Sequence, residues 1–243
     1  MLNLNQIYNI DCRVGIQDID TESIDLVVTD PPYLIDYKTN RRKDKTHRFC
    51  TSNEGDNNKQ LIIDILPQIH RVLKNNTSFY CFCNTAHIDF FKQEIEKYFK
   101  IRNIIVWIKN NHTAGDLLHA YGKKYEFIIY AQKGKRPLPR PRITDVWQFS
   151  RVSNTRLLHA NQKPIELIKQ ILNYSITENN IILDPFSGVA TTAIAALELH
   201  QSYIGFEVDK DYFDTGNRRI EEKKKEIEEV NSYQAEQINL GLV

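Results

Sequence analysis

The four residues Asp30, Pro31, Pro32 and Tyr33 form the stretch of this chain best equipped for chemistry. They follow an apolar run, Ile24–Thr29, that reads as a buried parallel strand. Open α/β sheets hold their ligands just past such strand ends. Two prolines fix φ and remove two amide donors. What remains is a stiff turn with a carboxylate, bare carbonyls and the flat ring of Tyr33. Acceptors beside a stacking face suit a planar base with an exocyclic amino group. A tight turn after a strand would use the same four residues, so the tetrapeptide alone leaves both readings open.

A second stretch narrows them. The apolar run Ile181–Ile182–Leu183 leads into Asp184, Pro185, Phe186, Ser187, Gly188, Val189, Ala190, Thr191 and Thr192, and then into a helix expected over 193–200. Small residues let backbone approach a ligand, and a helix N-terminus offers free amides and a positive dipole end. A strand expected over 203–206 ends at Glu207. An acid at that place, roughly 20 residues past the turn, hydrogen-bonds ribose hydroxyls in nucleoside-binding units. By itself this half also fits a dinucleotide-dependent oxidoreductase, which has no use for Asp30-Pro31-Pro32-Tyr33.

Together, the two motifs resemble the amino-group DNA methyltransferases that use S-adenosylmethionine. The catalytic motif comes first and the cofactor motif late, as in the permuted β-class of N6-adenine and N4-cytosine enzymes. The segment His159–Ala160–Asn161–Gln162–Lys163–Pro164 is similar to that family's HPxQKP element, and the resemblance spans roughly residues 4–219. It implies a Rossmann-like methyltransferase fold and a role for each matching residue. Asp30 and the Pro31 carbonyl would bond the amino hydrogens, Pro32 would stiffen the loop, and Tyr33 would stack on a flipped base. Asp184, Pro185, Phe186, Ser187, Gly188 and Thr191 would surround the methionine moiety, with Asp30 beside it. Glu207, followed by Val208, would take the ribose, and Asp11 with the Cys12 amide the cofactor adenine. Lys163 would reach the methionine carboxylate or cap a helix. The aspartate of the catalytic motif favours N6-adenine in double-stranded DNA over N4-cytosine. One departure stands out, since the family usually has glycine where this chain has Ala190. If that position needs positive φ, alanine costs roughly 1–2 kcal/mol. If it needs close cofactor approach, the methyl crowds the ligand, which leaves room for a catalytically weak DNA-binding regulator. Thr191 and Thr192 remain to cap the helix.

Net charge is only +1 over 243 residues, yet the cations cluster. Lys38, Arg41, Arg42, Lys43, Lys45 and Arg48 follow the catalytic motif, and Lys133, Lys135, Arg136, Arg140 and Arg142 form a second group. Clustered cations track a phosphate backbone even at small net charge, so both groups are expected to contact DNA. No run of 18 apolar residues points to a membrane span, and the first five residues lack the features of a signal peptide. Cys81 and Cys83 alternate along one strand, a spacing unsuited to a standard zinc site, so no metal is expected. Structural thiols fit a reducing compartment, and a cytoplasmic location is expected. A homodimer stays open.

The elements that must hold these residues follow from periodicity. Strands are expected over 6–10, 24–29, 78–83, 101–108 and 125–131, the last two pairing with one antiparallel member. Helices are expected over 59–73, 86–99, 163–175 and 209–230, with fraying beyond 231. Residues 34–57 read as a mobile loop and about 110–156 as an inserted target-recognition segment. The fold class is α/β, a doubly wound, mostly parallel sheet with one antiparallel strand, in a single domain over 1–243.

Overall fold

A computed structural model of the chain describes residues 2–32, 58–112, 118–138, 141–152 and 162–239. Tyr33, the loop 34–57 with its six cations, Arg140, and His159 to Asn161 lie outside them.

The strands are β1 (Gln6–Tyr8), β2 (Ile24–Thr29), β3 (Leu73–Cys83), β4 (Lys100–Ile108), β5 (Tyr125–Lys133), β6 (Val146–Gln148), β7 (Ile181–Asp184) and β8 (Ser202–Phe206). They form one sheet in the order β1-β8-β7-β2-β3-β5-β4-β6. Only β5 runs antiparallel, to β3 on one side and β4 on the other. The helices are α1 (Cys12–Gly15), α2 (Lys59–Val72), α3 (Ile88–Glu96), α4 (Ile165–Ser175), α5 (Thr191–Glu198) and α6 (Lys210–Asn239).

The central strand β3 shows why the sheet has helices on both faces. Its side chains alternate between faces, with period 2. Phe79, Cys81 and Cys83 enter a core with Ile62, Ile65, Leu66 and Ile69 of α2 and Phe91 and Ile95 of α3. Tyr80 and Phe82 enter a second core with Leu167, Ile168, Ile171 and Leu172 of α4, Ala193 and Ala196 of α5, and Ile220 of α6. A strand buried on both faces reads as a continuous apolar run, as it does here. The doubly wound, mostly parallel expectation holds, and the antiparallel member is β5.

Several boundaries differ from expectation. The first strand stops at Tyr8, because Asp11 caps α1. β3 begins at Leu73, earlier than expected: Leu73 pairs with Ile24 and Thr77 with Lys133, partners that periodicity does not reveal. The three-residue β6 is too short to carry a pattern, and it exists by pairing with β4. α6 continues to Asn239, with Lys224–Glu221 and Lys223–Glu226 pairs at helical spacing along it.

Candidate active site

The strand order reverses direction between β2 and β7, and ligands of such sheets bind in the crevice outside that point. Asp30 follows β2 on one side of the crevice, and Asp184 ends β7 on the other. Glu207 follows β8 and Asp11 closely follows β1, both at the same sheet edge. Because β5 is antiparallel, its first residues reach that edge too, so Glu126 joins the C-terminal ends of the parallel strands. Lys109, just past β4, lies beside it.

Asp30 is held in a row of buried and half-buried charges. Lys163 donates from Nζ to Asp30 Oδ2 at 2.5 Å. The same ammonium lies 3.5 Å from Glu126 Oε2 and 5.0 Å from the Phe82 ring centre. Glu126 Oε1 in turn accepts from Lys109. The lysine side chains are only 6% and 7% exposed, so solvent screens the row little. Burial acts to lower the pKa of Lys163, but the carboxylates of Asp30 and Glu126 outweigh it and leave it raised. Pro164 occupies the N-cap of α4, so Lys163 does not cap that helix, and its ammonium bonds Asp30.

The turn after β7 is braced from below. Asp184 accepts from the Phe186 amide at 3.1 Å and from Thr192 Oγ1 at 2.6 Å. Its burial pushes the carboxyl pKa up to about 7, against the lowering effect of those two bonds. The Ser187 amide donates to the Phe206 carbonyl at 2.8 Å, and Ser187 Oγ donates to the Asp184 carbonyl at 3.0 Å. Thr191 is buried in the first turn of α5. The N-cap of α5 is Ala190, with no side-chain cap bond, so Thr191 and Thr192 do not cap the helix as expected. Ala190 adopts φ 68°, the left-handed conformation. Its methyl is fully buried and faces Gly216 of α6. Of the two consequences drawn for alanine here, backbone strain is the one that applies, and the methyl does not project toward the crevice.

Gly188 has φ +51°, and a Cβ placed on it would meet nothing within 4 Å. That open space is a cradle. Beside it, Glu207 accepts from the Gly188 amide at 2.7 Å and from the Asp209 amide at 2.8 Å. Burial raises the Glu207 pKa and these donors oppose the rise. Asn9 Nδ2 donates to the Glu207 and Val208 carbonyls at 2.8 and 3.1 Å, which joins the ends of β1 and β8. Val208 itself is exposed. Asp11 accepts from the Arg13 amide at 2.8 Å and pairs with the Arg13 guanidinium at 2.6 Å, which lowers its pKa. Cys12 is buried, which pushes its thiol pKa up to about 12. Pro31 is buried and Pro32 half-buried.

The described part of the second basic group begins at the far edge of the sheet. Lys133 ends β5, so the antiparallel direction carries it to the opposite edge of the sheet from Asp30. Its buried ammonium donates to the carbonyls of Leu73 and His70 at 2.7 and 3.0 Å and pairs with Glu22 at 3.1 Å. Lys133 is therefore a structural clamp. Lys135 and half-buried Arg136 follow it on that far side: the Lys135 amide bonds Asn76 and the Arg136 carbonyl accepts from Gln132. Arg142 is exposed before β6, which runs from the same far edge back toward the active edge. The exposed cations at the active edge include Lys123 and Lys124, directly before β5. Lys123 donates to Thr85, just past β3, at 2.7 Å. A pair of lysines attracts no notice in sequence, and only the strand direction gives it a place.

The DNA methylase family of N6 and N4 methyltransferases matches residues 24–218. The DNA adenine methyltransferase YhdJ of Escherichia coli K12 is 27% identical over 248 residues, covering 87% of this chain and 81% of that protein. The solved complex of M1.HpyAVI with S-adenosylmethionine superposes with a TM-score of 0.65 at 26% identity, covering 88% of this chain and 98% of the other. The cytosine-N4-specific PvuII DNA methyltransferase superposes with a TM-score of 0.69 at 16% identity, with 90% of each chain covered.

Proposed function

The chain belongs to the DNA methylase family of N6 and N4 amino-group methyltransferases, and we propose that it methylates the N6 amino group of adenine in double-stranded DNA. Its methyl donor is S-adenosylmethionine. Bound, that cofactor supplies an electrophilic methyl group on a positively charged sulfur. The Gly188 cradle and the Glu207 carboxylate fit it, one by leaving backbone space and the other by offering acceptors for ribose hydroxyls.

The observation that carries the reading is Asp30 at the lip of the crevice, held by Lys163 and directly across from the Asp184–Gly188 turn. An adenine amino nitrogen shares its lone pair with the ring. Asp30 and the Pro31 carbonyl, accepting its two hydrogens, draw it toward tetrahedral geometry and stabilise the positive charge that forms on it. Alignment in the crevice supplies the rest. A base within a duplex must first be flipped out, at a cost of a few kcal/mol. Stacking on Tyr33 returns about 1–3 kcal/mol. Phosphate contacts supply the remainder, and Lys123 and Lys124 are among the exposed cations on the edge that DNA must approach.

Adenine is favoured by the likeness to an adenine methyltransferase along most of the chain. The likeness to the cytosine-N4 enzyme, at 16% identity, concerns the fold. N4-cytosine is the second reading, since the paired acceptors suit both amino groups. Incubation of the protein with mixed-sequence DNA and S-adenosylmethionine, followed by nucleoside analysis and modification-sensitive sequencing, tests the assignment. N6-methyladenine at a defined site is expected. N4-methylcytosine overturns the choice of base, and no methylated amino group overturns the function.

A further inference from the structure

The geometry points to Glu126 as a positioning residue for methyl transfer, acting as counter-charge to Lys163 so that the field at Asp30 stays negative. The inference rests on the methyltransferase reading above. A lysine 2.5 Å from the catalytic carboxylate poses a problem for that chemistry. The reaction develops positive charge on the amino nitrogen, and a buried ammonium next to its acceptor opposes that charge. At 6% exposure, water does little to screen Lys163. Glu126, 3.5 Å away, supplies the missing negative charge. Lys109 then occupies the other Glu126 oxygen, and the row Asp30–Lys163–Glu126–Lys109 alternates in sign to a net of zero.

The scaffold holds this row at fixed spacing. Glu126 pairs with Trp107 across the antiparallel β4–β5 ladder, and the Lys109 amide bonds the Lys124 carbonyl at 2.8 Å. The Lys109 ammonium sits 5.0 Å above the Trp107 ring. Lys109 directly precedes the recognition segment, so the row links the start of that segment to Asp30.

Three variants of the full chain test the inference: Glu126→Gln, Lys109→Met and the two combined. Glu126→Gln keeps shape and leaves one excess positive charge in the row. Its kcat on DNA should fall about 10- to 100-fold, less than the roughly 100- to 1000-fold of losing a group that touches the reacting atoms, with KM for DNA little changed. A second readout needs no turnover. S-adenosylmethionine carries a positive sulfur and S-adenosylhomocysteine a neutral one, so the ratio of their Kd values, by calorimetry, reports the local field. Glu126→Gln should raise that ratio several-fold and Lys109→Met should lower it. The double variant restores the charge balance and should recover at least part of the lost kcat and a near wild-type ratio. A packing role predicts no opposite shifts and no rescue. If Glu126→Gln does not fold, Lys109→Met and the double variant still carry the Kd test. Wild-type kcat and ratio in Glu126→Gln, or ratios that move together in both single variants, overturn the inference. A wild-type protein that methylates no DNA overturns the functional reading instead, and the Kd ratios still report on the row.

Discussion

Ala190 and Gly216 face each other across the contact between the cofactor turn and α6: a Cβ on Gly216 would lie 3.2 Å from the Ala190 methyl and 3.4 Å from the Gly188 carbonyl oxygen. The missing side chain on one residue makes room for the extra one on the other. Ala190→Gly relieves about 1–2 kcal/mol of left-handed strain. It also loses a buried methyl, about 0.8 kcal/mol, and frees the unfolded chain by about 0.4–1 kcal/mol. Its stability should stay within about 1 kcal/mol of wild type, and S-adenosylmethionine affinity should be unchanged. Gly216→Ala gains about 1 kcal/mol of helix propensity but presses on the turn at Gly188. We expect weaker cofactor binding in Gly216→Ala by calorimetry and recovery in the double variant. Unimpaired binding in Gly216→Ala would show that the turn yields freely.

Removal of Asp30 should separate binding from chemistry. Asp30→Ala should still bind S-adenosylmethionine, because the Gly188 cradle and Glu207 are intact. Methyl transfer should drop by about two to three orders of magnitude, the scale of losing a transition-state acceptor. Lys163 loses its nearest partner, so a lower Tm is also expected. Turnover close to wild type would rule out the proposed role.

The raised pKa of Asp184, about 7 against an ordinary value of 3.8, makes part of the stability pH-dependent. The folded state holds this proton more tightly than the unfolded state. The stabilising contribution of the protonated form is thus complete below about 4 and is lost as pH rises through about 7. Asp184→Asn removes the titration. In urea unfolding, the stability of the variant relative to wild type should rise between pH 4 and pH 7. A constant difference across that range would mean the carboxyl titrates normally.

Strand direction distinguishes the cations. If DNA lies on the edge that carries Asp30, Lys124→Ala should lower the slope of log affinity against log salt by about one. Lys135→Ala, on the far side, should leave it unchanged. Lys133→Met should lose about 1–3 kcal/mol of stability through its contacts with Leu73, His70 and Glu22, with DNA affinity intact. A salt slope that responds to Lys135 and not to Lys124 would place DNA on the other face.

The local parts of this protein are legible in its residues. Ile24–Thr29 matches its strand end for end, because a strand buried on both faces is apolar over most of its length. Asp30-Pro31-Pro32-Tyr33 and the Gly188 turn are legible because their conformations demand particular residue types at consecutive positions. What depends on strand direction and on partners far along the chain emerges once the sheet is assembled. Lys133 reads as a free cation until β5 is seen to run antiparallel, which sends it to the far edge and brings Glu126 and Lys124 to the near one. Lys163 lies 133 residues from Asp30, and no local pattern links them. The methyl of Ala190 has a direction only because α6 returns with Gly216 against it. Backbone conformation is set by neighbours in sequence, whereas charge pairing and packing are set by neighbours in space.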